Sequence, residues 1–296
     1  MGFPMKTGLR IAVQDTSGGL VVPNPGSPRS PFGNPILKTR NPKPDHFLSL
    51  ILPLVILACS GPPPHSTSRH EDLVLKSSDG VTLGATLYPV EQPNPPGLVL
   101  VHMLGSDRRS WEPFAARAQR DGYMCIAVDL RGHGDSRNAG GRQVSYKNFT
   151  TQDWLDALKD IDAAHQALLE RGANPKNIVL VGASIGANLV LRYALDHSEV
   201  PAVVLVCPGL DYKGVKTDTQ IAALGQRPCL LVTSEGDSYS ASSCATLKKA
   251  ASGLCEIREY PGSAHGTALF DASQTAIDEV LLWLQPILKP APQMGQ

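Results

Sequence analysis

Short apolar runs alternate with longer amphipathic stretches along most of the chain, from residue 71 onwards. Apolar, β-branched runs predict strands at 98–102, 123–128, 178–181, 203–207, 229–233 and 256–260. Apolar positions at helical spacing predict helices at 111–120, 152–170, 187–196, 242–251 and 273–288. Ahead of these, residues 73–75 and 81–88 flank Ser78-Asp79-Gly80 and predict an antiparallel β-hairpin. This alternation is typical of an α/β fold, with a mostly parallel, twisted sheet and helices on both faces.

The chain before residue 71 lacks this alternation. Residues 1–40 are rich in Pro, Gly, Asn and Ser, and we interpret them as a disordered leader or as the product of a misassigned translation start. We interpret residues 41–59 as a signal segment, because a basic region is followed by an apolar run too short to span a bilayer. Residues 60–70 then predict a flexible tether, and residues 291–296 a short tail.

The apolar run ends in Ile56-Leu57-Ala58-Cys59, which resembles the bacterial lipobox. The resemblance implies that Cys59 is acylated and becomes the first residue of the mature protein. A short buried helix is the alternative, but Pro53 in the middle of the run disfavours it. We therefore expect a protein of the bacterial cell envelope, anchored by a lipid on Cys59 to the periplasmic or extracytoplasmic side of a membrane.

The net charge and the cysteines bear on nucleic-acid binding, on metal binding and on disulfide formation. Zero formal net charge, from 27 basic and 27 acidic residues, gives no indication of nucleic-acid binding. The five cysteines after Cys59 show no spacing suited to a metal, and we expect neither a metal nor a cofactor. Two of them, Cys244 and Cys255, bracket a predicted helix and could pair with each other outside the cytoplasm.

A glycine-flanked serine lies between the predicted strand at 178–181 and the helix at 187–196. The string Gly182-Ala183-Ser184-Ile185-Gly186 has the pattern of a nucleophile elbow, a sharp strand-to-helix turn that exposes a serine hydroxyl. The serine has to adopt a strained backbone, so the positions two residues away must be nearly free of side chains. The Ile185 N–H then lies at a helix N-terminus, where it is able to donate to a developing oxyanion.

Two further loops follow predicted strands. They are His102-Met103-Leu104-Gly105-Ser106 and Asp129-Leu130-Arg131-Gly132-His133-Gly134-Asp135-Ser136. Together with the elbow, in this order and at these intervals, they resemble the α/β-hydrolase superfamily over about residues 71–290. The resemblance is closest to the esterase, monoglyceride-lipase-like and dienelactone-hydrolase-like branches. It implies the α/β-hydrolase fold and a triad of serine, histidine and an acid.

Only two histidines follow the elbow in the chain, and this restricts the choice of base. A serine hydroxyl is a weak nucleophile until a base takes its proton, and in this superfamily the chain order is Ser, acid, His. His197 lies at the end of the predicted helix that leaves Ser184, several turns away. His265 lies in a Gly/Pro-rich loop after the last predicted strand, and it is therefore the expected base.

Three carboxylates lie near the ends of predicted strands, namely Asp211, Glu235 and Asp237. The resemblance puts the acid in the loop Ser234-Glu235-Gly236-Asp237 and favours Asp237. The longer side chain of Glu235 keeps it as an alternative. Asp211 is the runner-up, because it occupies a place that some hydrolases use for the acid.

Two backbone donors are needed for an oxyanion hole, and Ile185 is expected to supply one. Many relatives have His-Gly where this chain has His102-Met103, with the second donor on the next residue. Leu104 is then the positional match, and Met103 is the alternative. Only about twenty residues separate the strands at 203–207 and 229–233, where larger lids are inserted in this superfamily, so we expect a minimal lid.

These expectations combine into a lipid-anchored serine hydrolase of the bacterial envelope, most concretely a carboxylesterase. It would act on small or short-acyl esters through an acyl-enzyme, with no cofactor. The same residues would serve an amide or peptide hydrolase, or an acyltransferase. A non-catalytic, hydrolase-like binding protein of the envelope is a further alternative, although such a protein would have no use for three triad residue types in the right order.

Overall fold

The computed structural model describes residues 68–288. The predicted leader (1–40), the signal segment with Cys59 (41–59), residues 60–67 of the tether and the tail (291–296) lie outside the described residues. Within the described part, no helix combines the length and the apolar composition that a bilayer crossing requires.

Strands and helices alternate along the described chain. The strands are β1 (Glu71–Lys76), β2 (Val81–Tyr88), β3 (Gly97–Val101), β4 (Met124–Val128), β5 (Asn138–Ala139), β6 (Arg142–Gln143), β7 (Ile178–Ala183), β8 (Val203–Val206), β9 (Asp211–Tyr212), β10 (Val215–Lys216), β11 (Cys229–Ser234) and β12 (Cys255–Tyr260). The helices are α1 (Glu112–Arg120), α2 (Thr151–Asp156), α3 (Leu158–Glu170), α4 (Ile185–Asp196), α5 (Ser238–Ala250), α6 (Ala268–Ala272) and α7 (Gln274–Leu284). Short 3₁₀ turns occupy Arg108–Trp111, Tyr146–Asn148 and Ile221–Leu224.

One large mixed sheet organises the domain. Its order is β12-β11-β8-β7-β3-β4-β2-β5-β6, with β1 paired to β2 outside this path. Strands β3, β4, β7, β8, β11 and β12 run parallel to one another, whereas β2 is antiparallel to β1, β4 and β5. The predicted hairpin and the mostly parallel sheet are therefore confirmed.

Alternate side chains of each central strand enter two separate cores. In β3, Val99 and Val101 belong to the core on one face, and Leu98 and Leu100 to the core on the other. Helices α3, α4 and α5 supply the first core and helices α1 and α7 the second, so both faces are covered. Because every residue of β3, β4 and β7 is buried, these strands read as continuous apolar runs in the sequence.

The helices depart from the predicted bounds at three places. The predicted helix 152–170 is two helices, α2 and α3, which join at Ala157 in an orientation that turns the carboxylate of Asp160 into the interior. Helix α5 begins at Ser238 instead of residue 242, because the Asp237 side chain caps it by accepting from the Ser240 N–H. Helix α7 ends at Leu284 instead of residue 288, because Pro286 cannot continue the backbone ladder.

The cysteines do not pair. The five cysteines between residues 68 and 288 are all free and buried, so Cys244 and Cys255, which the sequence allowed to pair, are not joined. In the sheet register, Cys255 in β12 lies opposite Cys229 in β11.

The connection between β8 and β11 is short, as predicted. It contains the two-residue strands β9 and β10, which pair with each other, and the 3₁₀ turn Ile221–Leu224. This connection is a minimal lid, and its β9–β10 hairpin follows the carboxyl end of β8, at the edge where sites in open α/β sheets are built.

Candidate active site

The elbow serine occupies a strained backbone between β7 and α4. Ser184 has φ 56° and ψ −119°, a region that non-glycine residues rarely adopt and that costs about 1–3 kcal/mol. Its N–H donates to the Val206 carbonyl oxygen at 2.8 Å, which ties the turn to the end of β8. The strain is therefore held by the surrounding sheet, and it leaves the serine hydroxyl at the carboxyl edge.

Both glycines of the elbow are required by close backbone approach. A Cβ on Gly182 would overlap the carbonyl oxygen of Gly186. A Cβ on Gly186 would overlap the carbonyl oxygen of Val101 and would lie 2.6 Å from that of His102. The spacing of Gly-x-Ser-x-Gly thus follows from the packing of α4 against the end of β3.

The structure brings Ser184, His265 and Asp237 into one chain of hydrogen bonds. The His265 Nε2 atom lies 2.8 Å from the Ser184 Oγ, and the His265 Nδ1 atom lies 2.6 Å from the Asp237 Oδ2. His265 comes from the loop after β12, and Asp237 from the loop after β11. The carboxyl ends of three parallel strands, β7, β11 and β12, therefore supply the serine, the carboxylate and the imidazole.

Asp237 is held in its ionised form. Burial opposes its ionisation, but hydrogen bonds from His265 and Ser240 outweigh this and hold its pKa below its ordinary value. The Ser240 contact is the helix cap of α5, so the backbone start of the helix stabilises the carboxylate that faces His265.

The other candidate acids do not approach the histidine. The Asp211 Oδ1 atom accepts from the Gly214 N–H at 2.7 Å, and this side chain is committed to the β9–β10 turn. Glu235 is exposed beside Asp237, and it makes no side-chain hydrogen bond to another described residue. His197, the other histidine after the elbow, contacts Glu199 at the end of α4.

The candidate oxyanion donors face a cavity of about 320 Å³ beside the serine. Ile185 is the first residue of α4, so its N–H has no acceptor within the helix. Met103 and Leu104 line the same cavity, and their N–H groups make no hydrogen bond to other described residues. The structure thus places all three predicted donors around one space.

His102 fixes the loop that carries Met103 and Leu104. Its Nδ1 atom lies 2.8 Å from the Met103 carbonyl oxygen, and its Nε2 atom accepts from the Leu130 N–H at 3.0 Å. One ring nitrogen must donate and the other must accept, so the imidazole has to be neutral. Burial favours this form because it lowers the pKa of His102. Its ring therefore ties the loop after β3 to the loop after β4.

Three residues near the triad had no distinguishing signal in the sequence. Tyr212 and Lys213 line the cavity from the β9–β10 hairpin. Cys207, just after β8, has φ 49° and lies behind the triad, and one ligand atom from each of Cys207, Asp237 and His265 lies within 4.8 Å of the others. Burial raises the pKa of Cys207 to about 12, so its thiol is protonated.

Comparison with known proteins agrees with this architecture. Residues 98–231 match the model of the alpha/beta hydrolase family. The chain is 32% identical over 136 residues to the quorum-quenching protein AidA of Acinetobacter baumannii, which covers 45% of this chain and 42% of that protein. It is 27% identical over 122 residues to a monoacylglycerol lipase of Xenopus laevis, across 40% of this chain and 32% of the lipase. The matched segments thus span less than half of the length of these curated relatives.

Solved structures show the same fold at low identity. The alpha/beta hydrolase GrgF of Penicillium superposes with a TM-score of 0.63 at 17% identity, over 74% of this chain and 99% of that one. A Pyrococcus furiosus esterase superposes with a TM-score of 0.59 at 15% identity, over 74% and 91% of the two chains. The resemblance that the three sequence loops indicated is confirmed by these comparisons.

Proposed function

Because this chain carries an α/β-hydrolase domain, we propose that the protein is a serine hydrolase, and most concretely a carboxylesterase that acts on small or short-acyl esters. One observation carries the proposal. An imidazole lies 2.8 Å from the hydroxyl of a serine with a strained backbone, and 2.6 Å from an ionised carboxylate. Packing alone does not require this arrangement, whereas acyl transfer does.

In the proposed acylation step, the Ser184 Oγ attacks the ester carbonyl carbon while the His265 Nε2 takes its proton. Asp237 keeps the other ring nitrogen protonated and stabilises the imidazolium that forms. The negative charge on the carbonyl oxygen is held by the N–H of Ile185 and by that of Leu104, with Met103 as the alternative second donor. His265 then protonates the leaving alkoxide, and the acyl group remains on Ser184.

Deacylation repeats these roles with water. His265 takes a proton from a water molecule, which attacks the acyl carbon, and the proton passes to the Ser184 Oγ as the acyl-enzyme bond breaks. The residues supply every proton transfer, so the cycle is balanced without a cofactor.

The size of the cavity and of the lid supports small substrates. The cavity beside Ser184 has a volume of about 320 Å³, at the lower end of ordinary ligand sites. Between β8 and β11 the chain holds only the β9–β10 hairpin and one 3₁₀ turn, and of these only the hairpin lines the cavity. We expect 4-nitrophenyl acetate and butyrate to be cleaved without activation at an oil–water interface.

Two tests separate this proposal from its alternatives. A fluorophosphonate probe should label the wild type and not Ser184→Ala, which would separate an enzyme from a hydrolase-like binding protein. Matched ester and amide substrates, with and without an added alcohol as acyl acceptor, then separate a carboxylesterase from an amidase or an acyltransferase.

The choice of acid has its own matched pair of variants. Asp237→Asn should lower kcat by about 10⁴-fold, because an amide leaves the imidazole in the wrong tautomer. Asp211→Asn should change kcat far less, because the Asp211 carboxylate serves the β9–β10 turn. Circular dichroism of both variants checks that they are folded. If Asp211→Asn loses most of its kcat while Asp237→Asn keeps a kcat near that of the wild type, the acid is Asp211 and the assignment of Asp237 is wrong.

We also propose that Cys59 carries a lipid that holds the protein at a membrane of the bacterial envelope. The string Ile56-Leu57-Ala58-Cys59 and the Pro- and Ser-rich residues after it support this. The first strand, β1, begins at Glu71, twelve residues after Cys59, so the intervening chain has the length of a short tether between the proposed anchor and the hydrolase.

A further inference from the structure

The hairpin β9–β10 holds a lysine at the rim of the candidate catalytic cavity in an unfavourable backbone conformation. Tyr212 and Val215 are paired in the ladder, so Lys213 and Gly214 form a two-residue turn. Both have positive φ, 58° for Lys213 and 85° for Gly214, as a type I′ turn requires. Glycine, asparagine and aspartate tolerate the first of these positions well, whereas lysine has no side chain that compensates for the strain.

The turn is held in place by contacts that do not involve the lysine side chain. The Tyr239 hydroxyl bonds both the N–H and the carbonyl oxygen of Asp211, at 3.1 and 3.2 Å. The Asn188 amide donates to the Val215 carbonyl oxygen at 2.7 Å. A Cβ on Gly214 would overlap the hydroxyl of Thr151, so the second turn position is closed to any side chain. The backbone of the turn that carries Lys213 is therefore held from three sides, and Lys213 lines the cavity.

The ammonium group of Lys213 is not paired with a carboxylate of the described chain. Met103, Leu104 and Ile185 make the cavity wall largely apolar, and no carboxylate lines it. Lys213 forms no ion pair with another residue of the described chain, and the Asp211 carboxylate of the same hairpin accepts a hydrogen bond from the Gly214 N–H. A cation at the mouth of an apolar cavity attracts an anionic group of a substrate.

We propose that Lys213 makes this site selective for esters or lactones that carry a carboxylate, or a comparable anionic group, next to the reacting ester. The inference rests on the proposed hydrolase function and adds a substrate class to it. Because Lys213 is exposed, water screens the attraction, and we expect a preference of about three- to tenfold in kcat/KM at low salt. Raising the ionic strength should weaken the preference.

Two pairs of substrates, each a carboxylate and its neutral methyl ester, measure this preference on either side of the ester bond. For the acyl side, mono-4-nitrophenyl glutarate is compared with its methyl ester. For the leaving group, 3-acetoxybenzoate is compared with methyl 3-acetoxybenzoate. The expected result is that the wild type prefers the anionic member of at least one pair, and that 0.5 M salt, which shortens the screening length to about 4 Å, reduces the ratio.

Three variants test whether the lysine is responsible. Lys213→Asn removes the charge and suits the positive φ, so a loss of preference in this variant cannot come from a damaged turn. Lys213→Glu should invert the ratio towards the neutral ester. Lys216→Met is the matched control, because Lys216 is an exposed lysine of the same hairpin that does not line the cavity, and it should keep the wild-type ratio.

The outcomes separate this inference from the function on which it rests. If the wild type cleaves the neutral esters but shows no preference, or if Lys213→Asn keeps the preference, the inference is overturned and the esterase function stands. If no ester is cleaved and no fluorophosphonate label is found, the proposed function fails and the inference fails with it.

Discussion

The guanidinium of Arg131 is the only cation that faces the fully buried carboxylate of Asp160 within the described chain, and its removal should be strongly destabilising. Arg131 lies in the loop after β4, and Asp160 lies in the first turn of α3. The Arg131 N–H donates to the Asp160 Oδ2 at 2.8 Å, and the Nη2 donates to the Asp160 Oδ1 at 2.7 Å. The Nη1 atom also bonds Asp79 in the β1–β2 turn at 2.8 Å. One side chain thus joins a hairpin, a loop and a helix.

The size of the effect follows from burial. Asp160 is inaccessible to water and the Arg131 side chain is 8% exposed, so Arg131→Met leaves a buried charge with a single backbone donor. Breaking a buried pair in this way costs about 3–5 kcal/mol, a large part of the 5–15 kcal/mol that stabilises a typical domain. Arg171→Met is the control, because Arg171 and Glu71 form an ion pair in which both side chains are about 40% exposed, and it should cost less than about 1 kcal/mol.

The loss in the free energy of unfolding caused by Arg131→Met should increase with pH. Burial raises the pKa of Asp160 to about 6 against the opposing effect of Arg131. Without the guanidinium this pKa rises further, so between pH 6 and the new value the variant carries a proton that the wild type has lost. An acid whose pKa is raised by folding destabilises the fold progressively as pH rises towards that pKa. The deficit relative to the wild type is therefore expected to be larger at pH 8 than at pH 5.

Urea unfolding followed by circular dichroism, at both pH values, measures these free energies. The double variant Arg131→Met/Asp160→Asn should lose less stability than the two single variants together, because the second change removes the stranded charge. Equal costs for Arg131→Met and Arg171→Met, or additive effects in the double variant, would refute the assignment of Arg131 as the partner of a buried charge.

Two further predictions concern the elbow and the amino-terminal segment. Gly186→Ala should lower kcat by about 100-fold with little change in circular dichroism. The added Cβ would press on the carbonyl oxygens of Val101 and His102 and displace Ser184 relative to the oxyanion donors. A kcat within twofold of the wild type would contradict this prediction. Cys59→Ala should move the protein out of the membrane fraction of an expressing bacterium or stall its processing, and an intact, unacylated amino terminus at Met1 in the mass spectrum of the wild type would contradict the lipid anchor.

The central sheet was predictable because its strands are buried on both faces. A strand such as β7 has no polar position, so the apolar run in the sequence marks its place directly. The bounds of the helices were less predictable, because they depend on side chains from other parts of the chain. Asp237 extends α5 by capping it, and Asp160 sets the orientation of α3 through Arg131. Neither contact leaves a periodic signal.

The juxtaposition of Ser184, His265 and an acid was also predictable, because the resemblance to the α/β-hydrolase superfamily implied the chain order Ser, acid, His. Each follows a different parallel strand, and the carboxyl ends of parallel strands meet at one edge of a sheet, so chain order and strand position suffice to bring them close. The choice between Asp237 and Asp211 needed the structure. Both follow strands of the same sheet, and only the hydrogen bond of Asp211 to Gly214 shows that its carboxylate is used locally.

Lys213 could not have been found in the sequence, and the reason is physical. The chain between β8 and β11 has no sustained periodicity, and its pairing covers only two residues on each side, so the register of the hairpin leaves no pattern. What fixes it is non-local: Tyr239 from α5 holds Asp211, Asn188 from α4 holds Val215, and Thr151 leaves room only for a glycine at position 214. These contacts determine which residue takes the first turn position, and hence which side chain reaches the cavity. A residue on such a loop that affects substrate choice can therefore be identified only once the fold has brought three distant segments together. The residues proposed to be catalytic differ in this respect, because they follow strands that the sequence already predicts.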